Sequence, residues 1–189
     1  MGSFDRAELE SWIDTQSVDP TFPGLGDFCA ANGIGITILS DGLDLYITRI
    51  LARAGLQDLA VFSNRARLVR DGTGWNLELD FPWRNIDCPQ CGCCKRNLML
   101  HASGEDDIIV YAGDGFSDRC PVRYADIVFA RGELQHFCQQ ENISYHLFPS
   151  FAEVTRRFEA LVDRKKLRPR REAERLRRGL FVAEGEPVL

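Results

Sequence analysis

Asp114 and Asp118 close the run I-I-V-Y-A-G-D-G-F-S-D, and two carboxylates at that spacing after a buried strand suit a hard cation such as Mg²⁺. Residues 108–112 are continuous, apolar and rich in β-branched side chains, as a parallel strand covered on both faces should be. Gly113 and Gly115 let the backbone turn tightly around Asp114, and Asp118 falls at the start of an expected helix. Both side chains are therefore expected to face one crevice as metal ligands. The bland alternative is an Asp-Gly turn followed by a helix-capping Asp, but such a turn does not require two acids at this spacing.

Two further signals lie upstream. Ser40 ends an apolar strand, and the amides of Asp41 and Gly42 precede a helix expected from Leu43, an arrangement that favours an anion through free N–H groups and the helix dipole. Lys95 opens the helix before the Ile108 strand, where its ammonium could neutralise a phosphoryl group. A Ser before a helix is usually only a cap, and an isolated Lys is usually solvated. In a doubly wound sheet, however, ligands bind beyond the carboxyl ends of the strands, so this order of residues converges on one place.

The elements that must position these residues follow from periodicity. Helices are expected over 6–15, 23–32, 43–54, 95–102, 119–124, 132–140 and 151–162, with strands over 34–39, 59–62, 108–112, 127–130 and 145–148. A hairpin over about 61–82, with arms 65–69 and 75–81 around Asp71-Gly72-Thr73-Gly74, interrupts the alternation. Strands separated by single helices imply a mostly parallel sheet with helices on both faces. Pro169 separates a basic helix from the rest, and residues 184–189 read as a frayed end.

The chain has 189 residues, 44% of them hydrophobic, which suffices for one domain with a full core or one domain with a small appendage. No apolar run approaches the ~20 residues of a membrane span, and the cytoplasm is the expected location. The net charge of −5 hides a division: Arg156 to Arg178 carries +7 and everything else −12. A solvated helical face explains this basic stretch better than a nucleic-acid arm, because no aromatic residues interleave with its charges. Of seven cysteines, Cys88, Cys91, Cys93 and Cys94 crowd one loop over 87–94. The Cys88-x-x-Cys91 pair has the bite of a zinc knuckle, and Cys93 or Cys94 could add a thiolate, which makes Zn²⁺ a candidate; a reduced loop leading into Lys95 and a redox-active disulfide are the alternatives. His101, His136 and His146 show no metal spacing with one another.

The strand ending in I-T-I-L-S, the Lys of C-C-K-R and the segment V-Y-A-G-D-G-F-S-D resemble, in order, the second, third and fourth motifs of the haloacid dehalogenase-like phosphatase superfamily. The likeness is strongest to the subgroup holding phosphoserine phosphatase, 2-hydroxy-3-keto-5-methylthiopentenyl-1-phosphate phosphatase and phosphoethanolamine/phosphocholine phosphatase, whose local style is echoed in S-D-G-L-D-L-Y-I, V-F-S-N and A-D-I-V-F-A-R-G. It spans roughly residues 23–154. The resemblance implies a Rossmann-like three-layer α/β/α core and Mg²⁺-dependent hydrolysis of a small phosphorylated metabolite. Ser40 and Lys95 would be catalytic, Ser40, Asp41, Gly42 and Lys95 would hold the phosphate, Asp114 would bind Mg²⁺, and Asp118 would support the metal or its waters.

The superfamily's first motif, a strand ending in Asp-x-Asp, supplies a nucleophile and a general acid/base. No Asp-x-Asp occurs in this sequence. The resemblance then implies a shortened chain, with residues 1–22 a remnant of a helical cap or linker, 23–154 the core and 155–189 a basic helical extension. Two alternatives stay open: a second chain or second copy supplies the strand, or the protein is a non-catalytic module that engages a partner through the cysteine loop or basic tail. The missing strand would be central, and its loss would expose apolar edges on both neighbours.

Overall fold

The computed structural model describes residues 5–71, 74–88 and 90–183. Gly72 and Thr73 of the expected hairpin turn, Pro89 of the cysteine loop and the expected frayed end lie outside the described residues. The architecture is mixed α/β, with three of the four strand pairings parallel. The chain divides into two compact units, Met1–Cys94 and Lys95–Leu189, each with its own three-stranded sheet.

In the first unit, helix α1 (Arg6–Thr15) opens where the Asp5 carboxylate accepts the Ala7 N–H at 2.9 Å, the N-cap geometry its sequence invites. Helix α2 (Phe22–Ala31) carries Pro23 in its first turn and stops before Gly33, whose φ of +65° suits a residue without Cβ. Strand β1 (Thr37–Leu43) runs parallel to β2 (Ala60–Asp71), with helix α3 (Asp44–Arg53) between them in sequence. The expected strand 59–62 and the first hairpin arm are one continuous strand. Its first part pairs with β1, and its second part pairs antiparallel with β3 (Gly74–Asp80), in register from Arg65↔Asp80 to Asp71↔Gly74.

The second unit opens with α4 (Lys95–His101), followed by β4 (Val110–Gly113) and β5 (Ile127–Ala130). Helix α5 (Gly132–Gln140), β6 (His146–Leu147), α6 (Phe151–Asp163) and α7 (Arg171–Ala183) complete it. Its sheet is wholly parallel in the order β4-β5-β6. Val128, Phe129, Leu134, Phe148, Val154 and Phe158 form the buried centre. The expected helix over 119–124 is replaced by two 3₁₀ turns, Phe116–Asp118 and Pro121–Arg123. Pro121 has no N–H to continue an α-helix, and only short-range bonds form, such as Tyr124 N–H to the Pro121 carbonyl at 2.9 Å.

Strands β1 and β4 each lie at a sheet edge among the described residues. In β1 the apolar Ile38 and Leu39 are only half-buried, although their run reads as a strand covered on both faces. No helix among the described residues is long and apolar enough to cross a membrane.

The basic extension is partly folded inward. Arg177 forms a buried pair with Asp126 at 3.1 Å and donates to the Tyr124 carbonyl at 2.5 Å. Asp126 also accepts the N–H groups of Ile109 and Arg170, each at 2.9 Å, so one carboxylate ties the approach to β4, the start of β5 and the approach to α7 together. Replacing Arg177 by Ala leaves Asp126 buried with a missing cation and should cost about 3–5 kcal/mol in urea unfolding. A loss under about 1 kcal/mol, the size expected of an exposed pair, would contradict this role for α7.

Candidate active site

Ser40, Asp41 and Gly42 belong to the first unit, and Lys95, Asp114 and Asp118 to the second. In the first, β1 extends through Leu43, so Ser40, Asp41 and Gly42 lie within the strand and not in a loop ahead of the helix. Its pairing with β2 shifts register between Leu39 and Leu43, so these three residues form an irregular stretch of the strand. The Gly42 N–H donates to Ser40 Oγ at 3.1 Å, which orients the hydroxyl and leaves its proton free for another acceptor. A Cβ at Gly42 would meet the Tyr46 hydroxyl at 2.1 Å, so any side chain there would have to displace the tip of Tyr46.

Asp41 fastens this strand to the cysteine loop. Its Oδ1 accepts the Cys93 N–H at 2.8 Å and the Asn64 side-chain amide at 3.2 Å, while the same amide donates to the Asp41 carbonyl at 2.8 Å. Asn64 is almost fully buried, and its Oδ1 has no hydrogen-bond partner among the described residues. Sequence reasoning noted V-F-S-N without giving Asn64 a role; the signal was a polar residue in a run that the strand pattern buries. Cys93 is fully buried, and Cys88, Cys91 and Cys94 are half-buried. Among the described residues, no group of three or more His, Cys, Asp or Glu side chains is placed to hold a metal ion.

In the second unit, the turn after β4 is built around Asp118. Oδ1 accepts Lys95 Nζ at 2.6 Å and the Tyr111 hydroxyl at 2.7 Å; Oδ2 accepts the N–H groups of Asp114 and Gly115, each at 3.0 Å. Lys95 and Asp118 keep only 10% and 6% of their side chains exposed. Gly113 is required here, since a Cβ would lie 2.7 Å from the Asp118 carboxyl carbon. Burial pushes the Asp118 carboxyl up, but the Lys95 charge and the hydrogen bonds from Lys95, Gly115 and Tyr111 outweigh it and hold the group below the ordinary carboxylate range. Tyr111 was legible only as a strand residue, although a buried phenol needs a partner for its hydroxyl.

The two aspartates therefore do not converge as a ligand pair. The Asp118 carboxylate accepts from four protein donors, whereas the Asp114 side chain is 59% exposed and its carboxylate meets Arg131 at 3.3 and 3.4 Å on one oxygen. Of the two carboxylates, that of Asp114 is the one open to solvent, and it is the oxygen ligand a hard cation would find here.

With that geometry in place, comparison with known proteins decides the family. The family model described as Putative Phosphatase matches residues 3–156. The chain belongs to that family. It is 33% identical over 139 residues to a 2-hydroxy-3-keto-5-methylthiopentenyl-1-phosphate phosphatase of Exiguobacterium sibiricum, covering 72% of this chain and 61% of that protein. A protein of the same name from Bacillus cereus is 26% identical over 159 residues, covering 83% and 70%. A bifunctional enzyme MtnB/MtnX of Bacillus licheniformis is 26% identical over 148 residues, covering 77% and 34%. The match to the family ends before Arg170 and Arg177, so the clamp on Asp126 is built from residues beyond it.

Replacing Asp118 by Ala strands a nearly buried Lys95 and should cost about 3–5 kcal/mol. Because the folded carboxyl sits below its unfolded value, the unfolded state binds more protons between the two values, so the stability that Asp118 contributes is complete above pH ~4 and lost as pH falls through the folded value. Urea unfolding as a function of pH should therefore show a shallower acid limb in Asp118→Ala than in the parent. Equal acid limbs would refute the ion pair.

Proposed function

We propose that this chain carries the phosphate- and metal-binding parts of a Mg²⁺-dependent phosphomonoesterase acting on a small phosphorylated metabolite. The observation that supports it most is the buried Lys95–Asp118 pair holding the turn after β4 while Asp114 is turned outward. The names of the curated relatives make an unsaturated hydroxy-keto phosphate ester the substrate class to try first.

In this reading Ser40, its oxygen accepting from Gly42, donates its proton to a phosphoryl oxygen. Lys95 gives one N–H to Asp118 and directs its charge at the phosphoryl group, where low exposure makes that charge count for more than in water. Asp114 would hold Mg²⁺, which when bound neutralises phosphoryl charge and fixes the phosphate for in-line displacement. The attacking carboxylate is not among these 189 residues, which contain no Asp-x-Asp; a strand from a segment outside this sequence, or from a second chain, would have to bring it. The half-buried apolar face of β1 and the edge position of β4 support that reading.

The absence of Asp-x-Asp is also the one observation that favours a second reading, a non-catalytic module that keeps a metal and phosphate site and engages a partner through the cysteine loop or the basic tail. Activity separates the two. Joined to an upstream strand bearing Asp-x-Asp, the chain should hydrolyse p-nitrophenyl phosphate with Mg²⁺ and lose that turnover on Lys95→Gln, whereas the 189-residue chain alone should hydrolyse almost nothing. Strong turnover by the chain alone that survives loss of Lys95 would place the reaction elsewhere. Mg²⁺ at a hundredfold excess over its Kd should stabilise the fold by about 2.7 kcal/mol, a gain that Asp114→Asn should remove.

A further inference from the structure

Arg131 is the residue that the functional reading leaves unused. It follows β5 directly, in extended backbone, and Gly132 after it has φ +55°. That conformation wraps the chain around the Asp114 turn: the Arg131 N–H donates to the Gly113 carbonyl and the Leu134 N–H to the Asp114 carbonyl, at 3.3 and 3.2 Å. A Cβ at Gly132 would come within 3.1 Å of that Asp114 carbonyl, so the approach is fixed by the backbone. The guanidinium lies over the ring of the buried Phe148, 4.9 Å from its centroid.

Its polar contacts are weak by comparison. Nε and Nη2 both reach one oxygen of Asp114, at 3.4 and 3.3 Å, and Nη1 reaches the Pro149 carbonyl at 3.4 Å. These distances lie beyond the ordinary range for N–H···O, and the fork is not used in its two-oxygen mode. Both side chains are open to water, at 38% for Arg131 and 59% for Asp114. A pair of this kind is easily given up. The ring beneath would keep the guanidinium plane in place while its edge changed partners.

We propose that Arg131 is a phosphate-binding residue that exchanges the Asp114 carboxylate for the substrate's phosphate: Asp114 holds the fork while no cation is bound, and occupation of Asp114 by Mg²⁺ frees it for a two-oxygen contact with the phosphate. This rests on the assignment of Asp114 to the metal made above. Cation and phosphate then bind with positive coupling through Arg131. Lys95 is committed to Asp118, so Arg131 supplies a cation whose availability depends on the metal.

Calorimetric titration of the 189-residue chain with inorganic phosphate and with Mg²⁺ tests this without any turnover. In the absence of Mg²⁺, Asp114→Asn should tighten phosphate binding several-fold by freeing the fork, and Arg131→Ala in the same chain should remove that gain, a double-mutant cycle with a clear sign. Arg131→Ala alone should tighten Mg²⁺ several-fold, since a competing cation is gone, and shrink the rise in phosphate affinity that Mg²⁺ produces in the parent to the part that the cation supplies by direct contact. Arg131→Gln keeps a polar group of similar length for the event that the Ala variant does not fold, and the same losses are expected of it. A gain in Asp114→Asn that survives loss of Arg131 would be a general charge effect and would overturn the inference alone. Weaker Mg²⁺ binding in Arg131→Ala would make Arg131 a support for the metal ligand and would also overturn it. A parent indifferent to Mg²⁺ would overturn both this inference and the metal assignment beneath it.

Discussion

A carboxylate that accepts four hydrogen bonds in a nearly dry place cannot move without unpairing something costly, and Asp118 is such a group. Two of its donors are the amides of Asp114 and Gly115, so the carboxylate takes the place of the carbonyl partners that an exposed turn would leave to water. The third is a phenol from inside β4, and the fourth is the ammonium that opens α4. Fixing Asp118 therefore fixes the exit of β4, the position of Lys95 and the outward direction of Asp114 together. The demand reaches into the sequence at Gly113, where any side chain would collide with the carboxylate. Asp41 does a lesser version of the same work in the first unit, where it joins β1 to Asn64 and the backbone of Cys93.

Local pattern carried much of this. Helices α1 and α5 and strand β5 lie where capping residues, periodicity and β-branched runs put them, because each is a short element whose sequence agrees with its packing. The pattern failed where tertiary bonds took over. An apparent helix start at Asp118 is a 3₁₀ turn because the side chain of Asp118 itself captures the amides before it, and Pro121 then blocks a longer helix. Ser40 through Gly42 lie within a strand because the pairing with β2 resumes past them, at Leu43 and Asn64. The residue types of the candidate site were legible, but their roles were not: spacing cannot tell a carboxylate that faces solvent from one turned inward onto a lysine. Arg131 was passed over because an arginine after a strand carries no pattern of its own.

Membership of the phosphatase family rests on residues 3–156, and the fold class follows the parallel strands. Two departures give this chain its particular character. It lacks the Asp-x-Asp that the superfamily resemblance calls for, and each of its sheets ends in an edge strand. It also continues past the family match into α7, whose Arg177 enters a buried bond with Asp126. Half of the basic stretch's apparent meaning thus disappears on folding: cations that read as a solvated face include one placed inside as a strap.

The central claim is that Asp118, and not solvent, satisfies the amides of the turn that presents Asp114. Hydrogen exchange of the Asp114 and Gly115 amides, resolved by NMR in the parent and in Asp118→Ala, tests it most directly. Both amides should be strongly protected in the parent although their turn faces water, and protection should collapse in the variant while β5 amides such as Phe129 stay slow. Exchange of both amides at open-loop rates in the parent would contradict the account.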